Sequence, residues 1–211
     1  MNNFYLRILT SFLLAPLFLY IIFLNNFYFV ILLSLIFLIA IYEIKFLFKK
    51  NFFHLFFCLC ILFLVFVYSF FKLRGHLDQD YIYLFWFLLT VWMSDIGGYF
   101  FGKLIGGFKL SKWSPKKTYS GLFGSLLFSQ SSFLFISFSS YPISYSFKVF
   151  WIQFVIFILS VLGDLFFSYI KRKNNIKDYS SLIPGHGGLL DRVDGLIFVI
   201  IFLYMFKISN V

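Results

Sequence analysis

Acidic side chains are scarce in this chain: its 211 residues hold 8 Asp+Glu against 18 Lys+Arg, and charged residues make up only 12%. Soluble domains carry about a quarter, so an ordinary water-soluble globule is excluded. Cysteine is nearly absent too. Cys58 and Cys60, both inside FFHLFFCLCILFLVF, have no further Cys or His at ligand spacing. That argues against a disulfide or a metal pair and leaves two small apolar side chains facing lipid or neighbouring helices. No A-x-A-like site follows the first apolar run, so that run is expected to stay as an anchor. Neither an internal repeat nor a soluble domain is evident.

What the chain has in quantity is apolar surface. It is 62% hydrophobic and 26% aromatic, with 36 Phe and a mean hydropathy of +0.93. A spanning helix needs about 20 mainly apolar residues, and seven stretches come near that: 8–24, 27–42, 52–71, 81–101, 120–138, 148–170 and 188–206. Helices are expected because backbone groups in lipid must be satisfied within their own segment and no barrel-type alternation is present. The fold class is therefore all-α, a polytopic integral membrane protein with about seven transmembrane helices. Residues 1–80 form N-terminal membrane helices without a chemical motif, and residues 81–211 form catalytic membrane helices, the two making one membrane domain.

The net charge of +10 is that of many nucleic-acid binders, but a membrane chain has a simpler reason for it. Lys and Arg gather in cytoplasmic loops. With the N-terminus inside, only Lys72, Arg74, Lys148 and Lys207 fall outside, leaving 14 of the 18 basic residues on the inner face. The split predicts a cytoplasmic N-terminus, an outer C-terminus and no nucleic-acid partner. His54 and His76 are expected to be an interfacial residue and a solvated loop residue.

Scarcity makes the remaining carboxylates informative. Asp95, in TVWMSDIGGYFFGK, and Asp164, in FILSVLGDLFFSYIKR, lie within apolar spans, where charge is costly and points to a polar cavity. Asp164, Ser168 and Lys171 fall at i, i+4 and i+7, one face of a helix. After the loop, Pro184, Gly185, Gly187 and Gly188 surround His186, giving a tight turn and close backbone approach to a ligand. The last helix opens with Asp191, Arg192 and Asp194. Asp191 and Asp194 share a face and can reach one ion together. Carboxylates on two helices with Lys and Arg between them suit Mg²⁺ carrying a polyphosphate, with the cations neutralising phosphate charge. A lone His and no nearby Cys argue against zinc. The pattern points to a nucleotide-dependent membrane enzyme.

Two blocks carry a resemblance. SYIKR, then Lys177-Asp178, then PGHGGLLDRVD resembles the signature of the CDP-diacylglycerol synthases, or phosphatidate cytidylyltransferases. SDIGGYFFGKLIGGFKLSKWSPKKTYSGLFGS resembles that family's D-x-G-A-Y-F-x-G and S-P-x-K-T-x-E-G segments. Together they cover roughly residues 85 to 205. The resemblance implies attack of phosphatidate on the α-phosphorus of CTP, giving CDP-diacylglycerol and pyrophosphate at the inner face of a bacterial membrane.

By the same resemblance, metal ions fall to Asp164 and Asp191 with Asp194 close by; Mg²⁺ is the expected activator, and a potassium ion beside it is compatible. The implied catalytic set is Asp164, Lys171, Arg172, Asp191 and Asp194. Substrate contacts would come from Asp95, Lys116, Lys117, Ser168, Lys177, Asp178, His186, Gly187, Gly188 and Arg192. CTP, phosphatidate and membrane lipids are the partners, and a homodimer is compatible. The chain departs from the pattern at Phe167, where the family usually has an acidic residue, and at Ser120, where Glu is common. The N-terminal part is short beside many members, so a pair of helices is expected to be missing.

Two other classes stay open. One is a CTP-dependent enzyme acting on an isoprenoid lipid phosphate or a lipid alcohol. The other is a channel or structural protein, whose basic loops would follow from topology alone but which has no need of G-H-G-G beside D-R-x-D.

Overall fold

The computed structural model describes residues 3–45, 53–76, 81–138, 146–185 and 187–206. Among these every regular element is a helix: α1 (Asn3–Phe23), α2 (Asn26–Lys45), α3 (Phe53–His76), α4 (Tyr81–Leu104), α5 (Tyr119–Ser131), α6 (Phe133–Ser137), α7 (Phe147–Lys173) and α8 (Leu190–Met205). The all-α expectation holds. Among the described residues five stretches are long and apolar enough to cross a membrane: 26–45, 54–74, 81–104, 119–137 and 147–173. The apolar part of α1, Phe12–Phe23, is shorter, and α8 has 16 residues, starting two positions later than the apolar run suggested. His76 ends α3 rather than standing in a loop, and His54 is exposed near the start of the same helix.

Phe12, Leu38 and Leu64 stand exposed on the outer faces of their helices, which suits contact with lipid. Between the helices the packing is close because small residues line the crossings, as helix association in lipid requires. The α4–α5 crossing is glycine on glycine. A Cβ on Gly97 would sit 2.3 Å from the Gly124 carbonyl oxygen, and one on Gly124 would sit 2.5 Å from the Gly97 oxygen. At the α7–α8 crossing a Cβ on Gly163 would meet the Asp194 oxygen at 2.5 Å.

Polar side chains tie the rest. Where α5 gives way to α6, the Ser132 hydroxyl lies 2.8 Å from Thr90 Oγ1 on α4 and accepts from Gln153 Nε2 on α7 at 2.8 Å. Ser132 is one of the Ser and Gln residues that make 120–138 the most polar of the apolar runs. Arg74 is buried near the end of α3. Its guanidinium donates to the carbonyls of Ile22 and Leu24 and to Asn26 Oδ1, and it lies between the rings of Phe29 and Tyr81, 4.6 and 4.7 Å from their centroids. It therefore joins the α1–α2 turn to α3 and the start of α4.

Candidate active site

Two loops and three helix segments build the site. Gly106 and Gly107 take positive φ, 66° and 104°, which turns the chain back after α4 into a short hairpin. Leu110 N–H donates to the Lys117 carbonyl at 2.8 Å, Tyr119 N–H to that of Phe108 at 3.1 Å, and Lys117 N–H to that of Ser114 at 3.0 Å. The last closes the turn Ser114-Pro115-Lys116-Lys117, with proline at its favoured position. At the base, Thr118 caps α5 by accepting from Gly121 N–H at 3.1 Å. Ser120, standing where Glu is common in the resembling family, lies 2.9 Å from Thr118 Oγ1 and donates to the Gly106 carbonyl. Trp113 then packs edge-on against Tyr169 of α7, ring centroids 5.0 Å apart.

The hairpin so held presents Lys116 and Lys117 to a cleft of about 270 Å³. Asp95 and Gly98 of α4, Thr118, and Asp164 of α7 share its walls. Lys117 pairs with Asp164 across 47 positions of sequence. Asp95 is exposed to this cleft, and Asp164, Lys117 and Arg192 are its charged neighbours. Both intramembrane aspartates, expected to face a polar cavity, line this one cleft. Gly98 and Gly121 are part of the lining, so the glycine crossing of α4 and α5 also shapes the cleft.

Behind the cleft, α7 ends in a Schellman motif. Ile176 N–H bonds the Lys171 carbonyl at 3.0 Å and Asn175 N–H that of Arg172 at 3.1 Å, with Asn175 at φ 54°, the left-handed residue such an ending requires. The chain then runs back so that Tyr179 covers Lys171, whose ammonium lies 5.3 Å from the ring centroid. Lys171 is only 9% exposed. Its Nζ donates to Asp191 Oδ1 at 2.6 Å and lies 3.8 Å from Asp194 Oδ2. The two aspartates do share a face and do reach one cation, which here is Lys171.

Asp191 is further engaged, since its Oδ2 accepts from Tyr179 N–H and Gly188 N–H, both at 3.0 Å. Gly187, at φ 85°, belongs to this closure: a Cβ there would approach Asp191 Oδ2 to 3.1 Å. Burial, with the carboxylates of Asp194, Asp191 and Glu43, pushes the Tyr179 phenol well above its ordinary value. It stays neutral throughout the physiological range.

Asp164 lies against the start of α8 beside Asp194 where α7 and α8 cross. Gly195 makes this possible, because a Cβ there would stand 3.1 Å from Asp164 Oδ1. Two carboxylates so close repel unless a proton or cation lies between them, and a pair of hard oxygen ligands is the set Mg²⁺ takes together with phosphates. The residues fit that ion. Among the described residues no three Asp, Glu, His or Cys side chains gather to hold a metal; Asp191 is turned to Lys171 and two amides.

Other expected site residues lie elsewhere. Arg172 is exposed and donates to the Ile176 carbonyl at 3.1 Å. Lys177 and Asp178 are exposed in the loop after α7. Ser168 is half-buried on α7 between Asp164 and Lys171. Arg192 is exposed in the first turn of α8. His186 lies outside the described residues. Phe167 is buried, its ring edge-on to Tyr179 with centroids 6.3 Å apart, so it props the lid over Lys171 where an acidic residue is usual.

Sequence reasoning missed Glu43. It is fully buried on α2, and its Oε1 accepts from Ser180 Oγ–H at 2.6 Å and Leu189 N–H at 2.7 Å, while Oε2 accepts from Leu190 N–H at 2.8 Å. In YEIK, beside basic residues at a helix end, it reads as an ordinary boundary charge. The signal that points to it is the scarcity of acids.

The model of the cytidylyltransferase family matches residues 47–209. A phosphatidate cytidylyltransferase of Brucella suis biovar 1 is 40% identical over 119 residues, 56% of this chain and 43% of that protein. One from Rickettsia bellii is 45% identical over 118 residues, 53% of this chain and 51% of that protein. One from Helicobacter pylori is 37% identical over 111 residues, 53% of this chain and 41% of that protein. The chain thus spans about half the length of the curated relatives it matches.

Proposed function

Since the chain belongs to the cytidylyltransferase family, we propose that it transfers the cytidylyl group of CTP to phosphatidate at a bacterial inner membrane. A phosphate oxygen of phosphatidate attacks the α-phosphorus of CTP. The bond from that phosphorus to the bridging oxygen breaks, and pyrophosphate leaves with the electron pair. The observation that carries the reading is the approach of Asp164 to the start of α8 beside Asp194 at the α7–α8 crossing, with Lys117 paired to Asp164 beside an open cleft. CTP and phosphatidate are both polyanionic or anionic at neutral pH, so no general base is needed, and positioning and charge neutralisation carry the rate.

Asp164 and Asp194 would hold Mg²⁺, which when bound supplies charge neutralisation at the transferring phosphoryl group. Lys117 is placed to exchange its carboxylate partner for phosphate, and Lys116 to contact phosphate at the cleft mouth. Asp191 and Lys171 hold each other in position. Seven spans, with α1 and α8 as the two short ones and the N-terminus inside, put this cleft on the cytoplasmic face, where CTP is made.

The test is product formation by the purified chain from labelled CTP, with phosphatidate, an isoprenoid glycerolipid phosphate and a lipid alcohol offered separately. CDP-diacylglycerol from phosphatidate, lost in Asp164→Asn while membrane insertion persists, is the expected result. Turnover confined to another acceptor, or near-normal turnover in Asp164→Asn at ordinary Mg²⁺, sinks the reading.

A further inference from the structure

Glu43 stands outside the stretch that matches the family model, yet it touches the segment that opens α8. Burying a carboxylate is costly unless hydrogen bonds satisfy it, and among the described residues no Lys or Arg pairs with Glu43. Its compensation is the three donors already described: the Ser180 hydroxyl and the amides of Leu189 and Leu190. Those amides are among the unpaired donors of the first turn of α8, and Leu189, the N-cap residue, provides no side-chain cap. A helix start left without its own cap, with a fixed carboxylate from another helix against its positive end, is a cap supplied in trans. Gly188 leaves room for it. A Cβ there would stand 2.7 Å from Glu43 Oε1 and 2.9 Å from Oε2, although Gly188 is not among the glycines at positive φ.

We propose that Glu43 is a positioning residue for the reaction: its buried carboxylate caps α8 and so fixes where Asp191 and Asp194 stand, and with them Lys171. The proposal rests on the function given above for those residues. The same helix start carries both aspartates, and Asp191 closes the loop from the other side by accepting from Gly188 N–H. Tyr179, Ser180 and residues 188–190 are thereby held between two carboxylates, one from α2 and one from α8. Glutamine at position 43 would turn an amide N–H toward donors, whereas aspartate keeps two acceptors on a shorter arm.

The test pairs amide hydrogen exchange with kinetics on the purified full chain, comparing Glu43→Gln, Glu43→Asp and Gly188→Ala. In Glu43→Gln, exchange over 187–193 should rise about tenfold or more, the scale of a lost helix cap, while α3 and α5 exchange as before. The kcat for CDP-diacylglycerol formation should fall about tenfold with KM for CTP nearly unchanged. Glu43→Asp should recover most of both. Gly188→Ala, which pushes a methyl group into the carboxylate without removing its charge, should reproduce the loss and serves if Glu43→Gln fails to fold. Unchanged exchange over 187–193, a rise spread over every helix, or faster local exchange with full kcat each overturns the proposal. A wild-type chain that makes no CDP-lipid overturns the functional reading instead, and the exchange data then decide the cap alone.

Discussion

Lys171 and Asp191, 20 positions apart, are joined by a 2.6 Å hydrogen bond that closes the C-terminal end of α7 on the start of α8. The side chains are 11% and 5% exposed, so the pair is buried. Removing one partner of a buried pair strands the other charge. This makes Lys171 a strut between the two helices that carry the aspartates.

Lys171→Gln is therefore expected to destabilise the protein by about 3–5 kcal/mol and to abolish most CTP-dependent turnover. Lys173, two positions on, is exposed, and Lys173→Gln should stay within about 0.5 kcal/mol of wild type and keep its turnover. Thermal unfolding in detergent and initial rates measure both. Equal, small effects from the two changes, with topology preserved, would mean that the cluster is an anchor.

Gly124→Ala asks whether the α4–α5 crossing is as tight as it stands. The added Cβ would lie 2.5 Å from the Gly97 carbonyl oxygen and 2.5 Å from Phe101 Cβ, and overpacking of that kind costs about 1–3 kcal/mol. The melting temperature should fall, and turnover with it, since the same crossing lines the cleft. An alanine variant as stable as wild type would show that the helices separate freely.

Orientation is open to chemical labelling. In a background with Cys58 and Cys60 replaced, Lys112→Cys and Lys177→Cys, both exposed, should resist an impermeant thiol reagent in intact cells. Asp78→Cys should react. The reverse pattern would put the cleft on the wrong side of the membrane for CTP.

Much of this was legible in the sequence for identifiable reasons. Asp95 and Asp164 announced themselves as charges inside apolar runs, and Asp191 with Asp194 by helical spacing, because those signals are local. What the spacing left open was the partner. Lys171 was placed on the Asp164 face, but its ammonium reaches Asp191 because the loop after α7 folds back over it, and no periodicity encodes that return. Lys117 finds Asp164 only through a hairpin whose tip rests on Tyr169. Glu43 was illegible for the same reason: its meaning lies in amides 146 and 147 positions away. Among the described residues five of the seven expected spans are helical stretches long and apolar enough to cross a membrane, and the interruption between α5 and α6 at Ser132 reflects side-chain bonding to α4 and α7, which hydropathy does not register.

Two of the stretches that line the cleft, 81–104 and 119–137, are also the least oily of the five long ones. Their mean hydropathies are 1.3 for 81–104 and 1.2 for 119–137, against 2.2 to 2.5 for the others. Asp95 and the glycines and serines that bring the pair together are what lower those values. During synthesis, then, these two segments are the ones of the five least able to partition into lipid alone, and each depends on the other for a favourable transfer. Placed singly in an insertion reporter, 81–104 and 119–137 should enter the bilayer incompletely, while the joined stretch 81–137 should enter more fully. A helical hairpin assembled at the moment of insertion is the biosynthetic counterpart of the Gly97–Gly124 contact.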